Sequence, residues 1–237
     1  LTAGGGTQHS EMFPLRSREH GNPLDLYQIW LNLPPQSKMA EPEFVMLWNE
    51  NIPRYRIDGV EVKVIAGRYE PQEPGHAELL PLAPGRSSWA ANPQADVAVW
   101  QITLQPGASV ILPPANAQGT RRTLYFHDGK QLQVAGDAIS GPRLLEVVAG
   151  SALPLHNGGE DVVQILLLQG VPIGAPVVAY GPFVMNTAEE IEQARRDYGR
   201  TQFGGWPWSS HGPVHPAGQG RFAKHPGKDA IELPPVK

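Results

Sequence analysis

Between Asp96 and Gly170 the chain repeats one cadence, which restricts its fold more than any other feature. DVAVWQITL is followed by a Pro106-Gly107 turn and then ASVILPP. RRTLYFHDGKQLQVAG carries Asp128-Gly129 at its middle, and RLLEVVAG and VVQILLLQG complete the block. Each segment is a short run of apolar, β-branched or aromatic residues closed by turn formers, as strands are. Pro106-Gly107 specifies a turn, and Asp128-Gly129 is a hairpin signal. Upstream, VEVKVIAG (60–67) sets Val60, Val62 and Val64 on one face and Glu61 and Lys63 on the other, and Gly67 ends it. The pattern predicts compact β-sandwich or barrel units.

The rest of the chain agrees with that reading. With 25 Pro and 26 Gly among 237 residues, long helices are interrupted before they grow. LDLYQIWLNLP (24–34) reads as strand material through Leu24, Leu26, Ile29 and Leu31, and 68–95 reads as a long excursion or connector. One stretch predicts a helix, NTAEEIEQARRDYGRTQFG (186–204). Thr187 and Glu190 form a capping box, acidic residues crowd the first turn, and Ile191, Ala194 and Tyr198 make an apolar stripe. The remaining tail has no periodicity, and Trp206, Trp208 and Phe222 are expected to pin it down.

Charge and composition remove several function classes. The formal charge is -4 with no basic block, which argues against a nucleic-acid surface. The longest apolar runs are too short to cross a bilayer. Cysteine is absent, so disulfide and thiolate chemistry are excluded and a metal would need His and carboxylate ligands. A cytoplasmic location is expected.

The chemistry-bearing candidates are His9 and Glu11, in LTAGGGTQHSEMF. In an extended segment residues two apart share a face, so an imidazole and a carboxylate could converge on one cation. That donor pair suits Fe(II), Mn or Zn. Two ligands are too few for a site, which normally takes at least three from the protein. His211 and His215 are separated by Gly212-Pro213, so a helical ligand face is excluded. His20, His76 and His225 sit in turn-rich sequence, and His127 and His156 lack a neighbouring His-x-His partner. No dinucleotide fingerprint and no G-x-S-x-G elbow is present.

TAGGGTQHSEMF, LYQIWLNLPPQSKMAEPEF, DGVEVKVIAG and GPFVMNTAEEIEQARRDYGRTQFGGWPW together resemble the pirin family. The resemblance implies an all-β bicupin, two small-barrel domains with one C-terminal helix and an irregular tail. On that basis residues 1–94 are the C-terminal part of a first, metal-binding cupin domain. Residues 95–185 are a second, metal-free cupin domain, and 186–237 are the helix and tail packed back on the barrels. The family's four-ligand site usually holds non-haem iron, with Mn, Zn, Ni or Cu as alternatives. Its second ligand pair falls on His9 and Glu11.

The first pair, a His-x-His on an earlier strand, is absent here, so the chain is expected to be a fragment whose missing segment or second chain supplies it. The implied activity is quercetin 2,3-dioxygenase-like, with a flavonol or similar small aromatic substrate and dioxygen. Glu11 is then a metal ligand and the catalytic acceptor of the flavonol 3-hydroxyl proton. The alternative is a non-enzymatic, metal-dependent regulatory bicupin that binds a protein partner.

Overall fold

The computed structural model describes residues 1–13, 15–206, 208, 209, 215, 217–225 and 227–236. They form two compact units. One comprises Leu47–Pro84 and Ser88–Ile173, the other Leu1–Met46, Gly85–Ser87 and Gly174–Lys237.

The first unit is a two-sheet β-structure. Its strands are β1 (Arg54–Ile57), β2 (Val60–Ala66), β3 (Ala98–Leu104), β4 (Ser109–Leu112), β5 (Arg121–Asp128), β6 (Gln131–Val134), β7 (Asp137–Ser140), β8 (Arg143–Val147), β9 (Leu153–His156) and β10 (Val163–Gly170). One sheet runs β1-β2-β3-β10-β5-β8 and the other β4-β9-β6-β7, with every pairing antiparallel. Register explains the core. Val62 lies opposite Ile102, Ile102 opposite Ile165, and Ile165 opposite Phe126, so one buried row crosses four strands. Val110, Leu155 and Val134 make the facing row on the other sheet. Burying each such side chain contributes about 1.5–3 kcal/mol.

Two sequence expectations are revised here, at 68–95 and at Asp128-Gly129. Residues on either side of the expected boundary at 94 and 95 share one sheet, since β2 pairs with β3, Val64 opposite Trp100. The backbone groups of VEVKV need a ladder partner on the side away from β1, and β3 supplies one. The excursion at 68–95 is not a plain connector, since Tyr69 is fully buried and exchanges backbone bonds of 2.9 and 2.8 Å with Leu79. Asp128-Gly129 turns the chain from one sheet into the other rather than closing a hairpin. The tight hairpins in this unit are at Asp58-Gly59 (φ 38° and 82°) and Ala135-Gly136 (φ 51° and 92°). Positive φ at both central residues matches the right-handed strand twist. Gly67 ends β2 as expected. Its φ is 71°, and a β-carbon there would meet the Ala98 Cα at 2.8 Å.

One loop clasp keeps the sheet end closed. Asp96, in the left-handed region at φ 47°, accepts from the amides of Asn116 and Ala117 (both 3.0 Å) and from the Thr120 hydroxyl (2.8 Å).

The second unit holds the hairpin β11 (Val178–Tyr180) and β12 (Phe183–Met185) and the helix α1 (Ala188–Thr201). The expected capping box is present. Thr187 accepts from the Glu190 amide (3.2 Å), while the Glu190 carboxylate accepts from the Thr187 amide (3.1 Å). The helix ends three residues before Gly204, because Gln202 and Phe203 both turn left-handed at φ 50° and 48°. That conformation costs a non-glycine residue about 1–2 kcal/mol, so neighbouring contacts must hold it.

Residues 24–31 do not form a strand. Leu24 and Trp30 are 63% and 62% exposed, and no described segment offers them a ladder. In the tail, the rings of Trp206 and Trp208 stand 4.6 Å apart, and Phe222 packs on His215 at 4.7 Å. His211 lies outside the described residues.

Candidate functional site

The segment that carries His9 and Glu11 is assembled by a series of backbone ties. Thr2 and Glu43 exchange backbone bonds of 2.8 and 3.0 Å. The Gly5 amide donates to the Ala40 carbonyl (2.9 Å), and the Gly6 amide donates to the Ala3 carbonyl (2.8 Å). Gly4 sits at φ 49° directly against the Ala40 carbonyl, where no β-carbon fits. Gly6 sits at φ 121°, and a β-carbon there would stand 2.5 Å from the Phe203 ring. The Gln8 Nε2 donates to the Gln202 carbonyl at 2.7 Å. The glycine run is therefore needed for close approach, which is the physical use of glycine.

Beyond Gln8, His9, Ser10 and Glu11 are exposed, in a stretch without helix or ladder. Their donors are an imidazole and a carboxylate, which suit a divalent metal. By themselves they are too few, and no group of three His, Asp or Glu side chains is assembled among the described residues.

The other histidines have ordinary surroundings. His156 Nδ1 lies 2.8 Å from the Ser109 Oγ across a β4–β9 pair, and His225 pairs with Glu232 at 2.8 Å. His76 packs edge-on against Tyr55. His20 Nδ1 lies 3.4 Å from the Ser17 Oγ. His127 is half-buried at the end of β5.

A second cluster joins two stretches quoted above, WLNLPPQSKM and GPFVMNTAEE. Lys38 is 6% exposed and its ammonium donates to the Asn32 side chain. Burial pushes its pKa below the ordinary lysine value, and the nearby Glu190 carboxylate opposes the shift. The same carboxylate accepts from the Asn186 amide at 2.7 Å, and Asn186 Nδ2 donates to the Pro176 carbonyl at 2.8 Å. This buried lysine was not legible as such, since an isolated Lys in sequence reads as a solvated surface residue.

Comparison with known proteins adds the following. Residues 99–204 match the Pirin C-terminal cupin domain, a span that begins inside β3 and includes all of α1. The chain is 33% identical over 212 residues to a Pseudomonas aeruginosa protein named "Putative quercetin 2,3-dioxygenase". The match covers 86% of this chain and 65% of that protein, so the chain spans just under two thirds of that relative. It is 30% identical over 218 residues to an Arabidopsis thaliana protein named "Putative pirin-like protein", covering 89% of this chain and 70% of the relative. Among solved structures, a quercetin 2,3-dioxygenase from Acinetobacter baumannii superposes with a TM-score of 0.57 at 26% identity, covering 74% of this chain and 55% of that one. The strand-rich unit, the α-helix that follows it in sequence and these matches agree: the chain belongs to the pirin family.

Proposed function

We propose that this chain contributes His9 and Glu11 to a mononuclear metal centre of a bicupin that opens a flavonol ring with dioxygen. The observation that carries the reading is the exposed imidazole–carboxylate pair, held on a backbone that its flanking glycines tie down on one side. The names of the relatives supply the substrate class. In this reading the segment carrying His9 and Glu11 belongs to the metal-bearing cupin domain, and the remaining donors come from outside the described residues. Fe(II) is the metal proposed.

When bound, such a metal supplies Lewis acidity and open positions for substrate and dioxygen. The work of this chain's own residues is narrower. His9 donates one imidazole nitrogen. Glu11 donates a carboxylate oxygen and accepts the proton of the flavonol 3-hydroxyl, a task that Ser10 between them cannot perform at neutral pH.

The test is oxygen uptake with quercetin by the full-length, metal-replete protein. Glu11→Gln is expected to lower turnover by about 10²-fold or more, the usual scale of general-base loss, with the fold intact. Unchanged uptake overturns the catalytic role of Glu11. Absence of uptake in the parent protein, together with a metal-dependent change in affinity for a protein partner, would favour the regulatory function instead.

A further inference from the structure

The end of α1 lies under the glycine run that leads into His9, although nearly two hundred residues of sequence separate them. We infer that Phe203, together with Gln202, positions the His9–Glu11 segment for metal binding; the inference rests on the metal-centre reading of those two residues. The geometry is specific at three points. The Phe203 ring occupies the space beside Gly6 where any other residue would place its β-carbon, 2.5–2.7 Å from three ring atoms. The carbonyl of Gln202 accepts from the side chain of Gln8 at 2.7 Å, one residue before His9. Both Gln202 and Phe203 hold left-handed backbone, which aims that carbonyl and that ring away from the helical path.

The clamp is itself supported. The Phe203 ring stands 5.3 Å from Tyr198 and 6.2 Å from Phe183, and those two rings are 6.4 Å apart. A three-ring cluster at offset and edge-on angles is a stiff platform. Ala40 grips the other side of the same run through the Gly5 amide. The backbone from Gly4 to Gln8 is thus held at several points up to the residue before His9. Outer contacts that orient a ligand commonly change metal affinity by about 10–100-fold when removed.

Phe203 and Gln202 touch neither metal nor substrate, so they are positioning residues, and the test needs two independent readouts on the full-length protein. The first is deuterium exchange of the metal-free protein. Phe203→Ala and Gln8→Ala are expected to speed exchange in the peptide spanning 4–13 while leaving β3 and β10 unchanged. The second is Mn(II) affinity measured by electron paramagnetic resonance. Both variants are expected to weaken it by about tenfold or more, and Phe203→Leu is expected to recover most of the loss by restoring an apolar bulk beside Gly6.

Unchanged exchange at 4–13 in both variants overturns the positioning role, whatever the metal does. Faster exchange with unchanged Mn(II) affinity overturns it as well. The double variant His9→Ala/Glu11→Ala separates the two levels. If it binds Mn(II) as the parent does, the metal-centre reading fails and takes the affinity claim with it.

Discussion

Gln169 Oε1 accepts two hydrogen bonds from Arg122, from Nε at 2.8 Å and from Nη2 at 2.5 Å, across the β10–β5 pair. Arg122 is 2% exposed, and its Nη1 donates to the Pro113 carbonyl at 2.8 Å. Its hydrogen-bond acceptors here are neutral. Burial pushes its pKa down to about 10, against the pull of the Asp96 carboxylate.

The two partners should respond unequally to mutation. Gln169→Leu leaves a buried guanidinium without its forked acceptor and is expected to cost about 3 kcal/mol. Arg122→Met removes the charge together with its desolvation and is expected to stay within about 1 kcal/mol of the parent. Urea denaturation of the two variants checks the asymmetry, and equal losses would contradict it.

Tyr69 gives an alkaline prediction. It is fully buried, its ring meets Trp100 edge-on at 5.1 Å, and its hydroxyl has no hydrogen-bond partner among the described residues. Burial raises its pKa above the ordinary phenol value, and it does the same for Tyr55, whose hydroxyl donates to Glu73. A phenol whose folded value is raised contributes stability in full below pH about 10, and loses it as pH climbs further. Arg122 works in the opposite sense, since its folded value is lowered. Tyr69→Phe should therefore flatten the fall of stability above pH about 10. At neutral pH it should raise stability by about 1 kcal/mol, because an unpaired buried hydroxyl disappears. Denaturation at pH 7 and across the alkaline range measures both.

His9 and Glu11 are exposed and outside any ladder. Replacing either with Ala is expected to change stability by less than about 0.5 kcal/mol while weakening metal affinity at least about tenfold. Thermal unfolding beside a metal titration distinguishes this from a structural role, in which the two would fall together.

The N-cap of α1 offers a local test. Thr187→Ala removes the acceptor for the Glu190 amide and is expected to cost about 1 kcal/mol. Amide exchange should quicken in the first turn of α1 and not in β5 or β10. Uniform quickening would mean that the cap supports more than its own helix.

What the sequence disclosed, and what it withheld, follows from the range of the forces involved. The alternation of VEVKV and the capping box of Thr187 and Glu190 depend on neighbours within a few residues, and both appear as read. The partner of β2 does not, because Val64 meets Trp100 only through a contact beyond the excursion at 68–95. Asp58-Gly59 and Asp128-Gly129 are the same dipeptide, yet only the first closes a hairpin, since sheet membership decides the outcome. Leu24 to Leu31 has strand-like composition and finds no ladder among the described residues. At the candidate site, His9 and Glu11 were visible as residue types. Phe203 was not, because nothing in its own surroundings predicts that its ring meets a glycine near the start of the chain.

The pairing of β2 with β3 also separates resemblance from autonomy. The span recognisable as the Pirin C-terminal cupin domain begins at residue 99, inside β3. A polypeptide cut to that span would present β3 as a bare sheet margin, with Trp100 and Ile102 stripped of the Val64 and Val62 that lie opposite them. Such a margin invites pairing with other chains. A piece that keeps those pairings intact has to reach back at least to Arg54, well upstream of residue 99, where the matched domain begins.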